Sequence, residues 1–508
     1  MWKLSASFSL VFVSAIAHAG SNPETLAERC QAQARAVLDR AVEAIGGAEA
    51  LQAIKSFRLE LDGRTTPRLQ MPTPEPPFTA GTSKEILVFD LENDRLLLEQ
   101  RNSGNGFDGH AVVVLKAGEG TAYDLRARTV TPVPAAQTSQ QQFVQFYRRL
   151  PNLILREALN RASSLRYLGE DRLDNRKHHV ITFPMADAQQ VALYVDAATN
   201  LVSKYELVFT DPLTGEEASE ILFGDYVASG KLKVPRSWTF RQAGDVLVRN
   251  KVKAVFNPAI SDKTFQVAAA GFRKVAAAPL NLEPTVEKLA DGVYVIQNVA
   301  GQNQNTMAVA FKDYIVAVEA PGSSGGADQV IAKIKETIPG LPIRYLAMTH
   351  HHGDHIGGLR SFIAEGATIV TTPGNRGVVT TMAAAPQNDR LARNPRKPEV
   401  LLLEKGKRVI TDGKRTLELI DIGPHPHARE MVIAYLPKEK VVFQGDLFFM
   451  PLDGPFGPPQ ASTIAFAQKL KKLGLAVERI ASVHGKTGTM ADFKRAMAER
   501  TAARSASR

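Results

Sequence analysis

Apolar residues at positions 26, 30, 34, 37, 38, 41, 42 and 45 recur at helical spacing and predict one helix from Leu26 to Ile45, stopped by Gly46-Gly47. Phe57-Arg58-Leu59-Glu60-Leu61 then alternates as a half-buried strand does. Pro67, Pro72, Pro74, Pro76 and Pro77 predict an irregular loop. Ile86 to Phe89 and Leu96 to Leu98 flank Glu92-Asn93-Asp94, the pattern of a hairpin. A helical stretch follows from Gln140 to Arg161, interrupted at Pro151. Between 164 and 256, strand-like runs alternate with turn signals such as Asp174-Asn175, Ala198-Thr199-Asn200 and Ala243-Gly244-Asp245. A helix followed by an antiparallel sheet is an α+β domain, assigned to residues 20–267. His178-His179 reads there as an exposed strand pair rather than a site.

The Ala-rich stretch 268–283 reads as a linker, and a second rhythm starts at residue 284. Val293 to Ile296, Met307 to Phe311 and Tyr314 to Val318 predict strands, Asp328 to Thr337 a helix, and Ile343 to Met348 a buried strand. That strand runs into Thr349-His350-His351-His352-Gly353-Asp354-His355-Ile356-Gly357-Gly358, which leads to a helix beginning near Leu359. Alternation through the turn lets His350 and His352 face one metal ion while Asp354 and His355 reach another. Three further donors each follow a strand-like run: His427 after Leu417 to Ile420, Asp446 after Val441 to Gly445, and His484 after Ile480 to Val483. Imidazole and carboxylate without thiolate suit zinc first, with manganese or iron as alternatives.

Composition changes this picture in three places. A chain of 508 residues exceeds one ordinary core, so two domains are expected. The net charge of +10 is spread along the chain without dense Lys/Arg blocks interleaved with aromatics, which argues for a solvated basic surface and against nucleic acid. Lys3, the apolar stretch Leu4 to Ala17 and the small-x-small triplet Ala17-His18-Ala19 read as a signal peptide over 1–19. The stretch is too short for a stable membrane span, so a periplasmic or secreted location is expected. The only cysteine, Cys30, can form no internal disulfide.

Across roughly 284–500, the His350-x-His352-x-Asp354-His355 string with His427, Asp446 and His484 resembles the metallo-β-lactamase fold superfamily. The resemblance implies an αββα sandwich, followed by a basic tail at 501–508. It implies that His350, His352 and His427 hold one zinc ion, that Asp354, His355 and His484 hold a second, and that Asp446 bridges them. In that pattern a metal-bridging hydroxide attacks an ester, thioester, lactone or lactam bond of a small molecule, with Asp354 and Asp446 as catalytic carboxylates. Where relatives carry an aspartate after the strand ending at Val318, this chain has Glu319, a departure expected to alter support of the ligands rather than metal binding. His351 and His425 are left outside the ligand set. Tyr194-Val195-Asp196 with Thr199-Asn200, and Val234-Pro235 with Trp238, resemble LolA/LolB-like lipoprotein carriers, implying a curved sheet in the first domain. Two alternatives stand beside hydrolysis: a mononuclear iron enzyme of the sulfur-dioxygenase kind, and a carrier with a structural metal. Loops 374–398, with Arg376, Arg390, Arg393 and Arg396, and 448–459 are the expected specificity loops.

Overall fold

Thr25 starts the first helix by a capping box: its side chain accepts from Glu28 N while the Glu28 carboxylate accepts from Thr25 N. The helix, Leu26–Ile45, ends where Gly46 takes φ 130°, a conformation that side chains rarely adopt. The computed structural model describes residues 25–116, 118–133, 148–185, 189–211, 214–277, 283–299 and 304–505. The expected signal segment and positions 140–147 of the expected second helix lie outside them. Pro151 begins the helix Pro151–Asn160, where the first helical position needs no N–H.

Both helices bury one face on a sheet of fourteen strands among the described residues. Its order runs from Arg273–Lys274 and Thr129–Val133 through Glu119–Asp124, Phe107–Lys116, Arg95–Gly104, Gly81–Asp90 and Ser56–Thr65. It continues with Asp245–Phe256, Ser237–Gln242, Gly215–Gly224, Val202–Asp211, Gln190–Asp196 and Arg176–Pro184 to Arg166–Leu173. Ala34, Leu38, Ala41 and Ile45 of the first helix share a core with Phe57, Leu59, Phe183 and Leu193 of the sheet. Two expectations change here. The linker is partly structured, since Arg273 and Lys274 pair in parallel with Thr129 and Val130 at the sheet edge. His178 is fully buried rather than exposed, its Nδ1 2.9 Å from Arg176 O and its Nε2 3.8 Å from Asp196. The alternation of strand Arg176–Pro184 turns His178 inward, and a hydrophobicity count could not weigh the carboxylate that receives it.

Beyond residue 284 the described residues form two further sheets. One contains Thr285–Ala290, Val293–Gln297, Thr306–Ala310, Ile315–Val318, Ile343–Ala347, Thr368–Thr371 and Val400–Leu402. The other contains Lys407–Thr411, Thr416–Asp421, Val432–Leu436, Val441–Gln444, Arg479–Ser482 and Gly488–Thr489. The two-residue alternation decides their packing. Val295, Met307, Val309, Val316 and Val318 of the first sheet meet Leu417, Leu419, Ala434, Phe443 and Ala481 of the second in one core. The opposite face of the first sheet, with Ala308, Ala317 and Leu346, receives the helices Ser324–Thr337 and Leu359–Glu365. That of the second, with Ile433, Tyr435 and Val442, receives Ala461–Leu473 and Met490–Ser505. This last helix runs beyond residue 500 into the stretch expected to be a tail. No helix among the described residues is long and apolar enough to cross a membrane.

Candidate metal centre

The expected ligands follow the C-terminal ends of three strands, Ile343–Ala347, Val441–Gln444 and Arg479–Ser482, and the loop beyond Thr416–Asp421. Ile315–Val318 runs parallel to Ile343–Ala347, and Val441–Gln444 parallel to Arg479–Ser482, so the strand ends lie side by side. Local sequence makes the turns close enough. A Cβ on Gly445 would lie 2.5 Å from Thr349 Oγ1 and 3.0 Å from His350 Nδ1, so only glycine leaves room for that imidazole. A Cβ on Gly358 would lie 2.4 Å from that of Ala327, so glycine permits the close approach of the following helix.

All seven residues come together. Donor atoms of His350, His352, His427 and Asp446 lie within 4.8 Å of one another, and so do those of Asp354, His355, Asp446 and His484. Asp446 is common to both groups. Its Oδ2 lies 3.3 Å from His427 Nε2, while its Oδ1 lies 3.1 Å from His355 Nε2 and 3.5 Å from His484 Nε2. His350 Nε2 and His427 Nε2 converge to 3.1 Å. The mouth of the site is at Asp354 and His484, whose side chains are 34% and 24% exposed, while His350, His352 and His355 are sealed.

Four of the ligand rings have a partner for their outward-facing nitrogen. His350 Nδ1 meets Thr349 Oγ1 at 3.0 Å, and His355 Nδ1 meets Glu319 Oε2 at 2.5 Å. His352 Nε2 faces Met71 O at 2.9 Å, and His427 Nδ1 faces Asn105 O at 3.1 Å. Gln70 Nε2 donates to Asp354 Oδ1 at 2.6 Å. Glu319 is fully buried at φ 75°, and its other oxygen accepts from Thr349 N at 2.6 Å. His425, left outside the ligand set, is buried as well: its Nε2 meets Ser462 O at 3.0 Å, and its Nδ1 accepts from His427 N at 3.3 Å. His351 is buried beneath the first domain's loop, and burial pushes its pKa down to about 4.

A metal fits this set. His352 Nδ1 is buried without a hydrogen-bond partner, which is costly unless something else occupies it, and His355 Nε2 and Asp446 Oδ1 have only each other. Burial, with the neighbouring imidazoles, pushes His350 and His352 to the neutral form that donates a lone pair. Burial opposes ionisation of Asp446 and Asp354, but the adjacent histidines outweigh it and hold both well below the usual carboxylate range.

Phe107, from the first domain, stands edge-on to His427 with centroids 5.1 Å apart and meets Phe449 at 5.4 Å. Phe449 lies 5.8 Å from the His484 ring. A cavity of about 400 Å³ opens beside this pair, lined by Asp108, His110, Arg126, Phe449, Pro455 and Phe456. In the other expected specificity loop, Arg390 is engaged with Glu365 at 2.6 Å.

Residues 321–494 match the metallo-beta-lactamase superfamily, whose fold supports a metal-dependent hydrolase in this part of the chain. Among solved structures it is similar to the DIM-1 metallo-beta-lactamase, at 20% identity over 44% of this chain and 98% of that one, with a TM-score of 0.33. It is similar also to a metallo-beta-lactamase from Pontibacter korlensis, at 18% identity over 43% and 99%, TM-score 0.34. A third is FIM-1 from Pseudomonas aeruginosa in its mono-zinc form, at 19% identity over 45% and 99%, TM-score 0.33. No curated protein matches the chain.

Proposed function

We propose that the protein is an exported, binuclear zinc hydrolase with an αββα catalytic domain over 284–500 and an accessory first domain over 20–267. Its reaction is cleavage of an ester, thioester, lactone or lactam bond. The observation that carries the reading is Asp446, with one oxygen turned to each half of the donor set. His350, His352 and His427 would hold one ion, and Asp354, His355 and His484 the other. Bound zinc supplies water activation near neutral pH and polarisation of the carbonyl.

The chain's own groups do the rest. Glu319 and Thr349 fix the inner rings of His355 and His350. Asp354, the carboxylate at the mouth, is placed to take a proton from the attacking water and pass it to the leaving oxygen, sulfur or nitrogen as the bond from the acyl carbon to that atom breaks. Phe107 and Phe449 screen the centre from bulk water and offer an apolar wall to the acyl part. The test is metal analysis of the purified protein together with turnover of ester, thioester, lactone and lactam substrates. Two zinc ions per chain with hydrolysis of one class is the expected result. One iron per chain, with oxygen consumption on a persulfide and no hydrolysis, would replace this reading with the dioxygenase one.

A further inference from the structure

The first domain reaches the metal centre by two segments. The loop between strands Ser56–Thr65 and Gly81–Asp90 carries Leu69, Gln70, Met71 and Pro72. The second segment is the Asn105-Gly106 turn, where φ of 51° and 81° give the tight hairpin that Asn-Gly favours. Their contacts concentrate on ligands and the residues beside them. Met71 O faces His352 Nε2, Asn105 O faces His427 Nδ1, and Gln70 Nε2 donates to Asp354 Oδ1. Next to the ligands, Gly353 N donates to Leu69 O at 2.8 Å and Arg429 N to Pro72 O at 2.7 Å. The two segments are also tied to each other, since Asn105 Nδ2 donates to Gln70 O.

A carbonyl oxygen only accepts. Met71 O therefore demands the proton of His352 on Nε2, which leaves the lone pair on the buried Nδ1; Asn105 O likewise leaves the lone pair of His427 on Nε2, towards His350 and Asp446. Beside the ionised Asp354, only the nitrogen end of the Gln70 amide is tolerated. We propose that the first domain is a built part of the metal centre, in which Met71 O and Asn105 O set the tautomers of His352 and His427 while Gln70 aims Asp354. Gln70 and Asn105 are thus positioning residues. This rests on the reading above that the seven side chains bind metal.

The experiment uses the full-length chain. Gln70→Met keeps side-chain length and removes the donor; Asn105→Gly keeps the left-handed turn and its carbonyl but removes the tether to Gln70. Zinc affinity is measured by chelator competition, and the visible spectrum of the cobalt-loaded protein reports ligand geometry. Gln70→Met is expected to weaken one of two ions by about tenfold, and Asn105→Gly the other, with an altered cobalt spectrum and an unchanged thermal midpoint without metal. Two ions bound with wild-type affinity and spectrum in both variants would overturn the proposal. So would loss of both ions alongside a lowered metal-free midpoint, the mark of a merely structural role. If Asn105→Gly does not fold, Gln70→Met decides alone. A wild-type chain that binds no metal defeats the reading of the site instead.

Discussion

Glu319 holds two buried partners from a left-handed backbone position: the amide of Thr349 and the Nδ1 of His355. Glu319→Gln can still accept from Thr349 N, but its amide nitrogen then faces the imidazole N–H. It should weaken one zinc ion about tenfold without unfolding the chain, as read by chelator competition. Glu319→Ala leaves a buried N–H unpaired and should also cost about 1–3 kcal/mol in denaturant unfolding. At Asp446 the two functions of charge and volume separate. Asp446→Ala should lose about one zinc per chain and lower turnover by at least about 100-fold, with Asp446→Asn in between, as metal analysis and kinetics would show. An Asp446→Ala protein with two ions and normal turnover removes the bridge. The seven side chains that converge were legible in sequence because each follows a strand-like run. Met71 O and Asn105 O were not, because every residue carries a carbonyl and only the fold says where it points. A sequence-level signal existed only for Asn105, whose Asn-Gly pair marks a tight turn.

Among elements, the strands were readable from alternation and their order was not, since pairing of Ser56–Thr65 with Asp245–Phe256 spans most of a domain. The loop 374–398 shows the same limit. Its arginines read in sequence as a solvated basic loop before a substrate contact, and the residue that anchors it is Asp389. Arg360, buried on the helix Leu359–Glu365, meets Asp389 at 2.6 and 2.9 Å and also donates to the carbonyls of Met382, Ala383 and Ala385. Burial opposes ionisation of Asp389, but the Arg360 bonds, Ala392 N and Ser324 Oγ outweigh it and hold its carboxyl at about 2. A depressed pKa contributes stability that is complete above the unfolded value near 4 and fades as pH falls from about 4 to about 2. Asp389→Asn should lose that acid limb in stability measured against pH. Asp389→Ala, which strands a buried guanidinium, should cost about 3–5 kcal/mol. An unchanged acid profile in Asp389→Asn would show that Arg360 is satisfied by carbonyls alone.

At the scale of the molecule, the parts of the chain on either side of the Ala-rich stretch meet at the candidate metal centre. Metal held by a centre that both complete stabilises both. Each zinc ion at about 100 times its dissociation constant contributes about 2.7 kcal/mol, so chelation should lower the thermal midpoint by about 5 °C. In hydrogen exchange, the amides of Gly353 and Arg429, which donate to Leu69 and Pro72, should then exchange faster. Protection at those amides that ignores chelation would mean the domains hold together without the metal.

The contact from Gln70 to Asp354 spans 284 positions, and that from Asn105 to His427 spans 322. A ribosome therefore releases the Gln70 loop and the Asn-Gly turn long before the histidines they serve exist. The early half must wait with those carbonyls facing water, and the late half can gather His350, His352 and His355 before their tautomers are set. Such long closures are slow steps in folding. If the proposed centre binds zinc, its tightly bound state belongs to the last stage of assembly, and a chain caught before its halves meet should surrender the metal readily to any competing chelator.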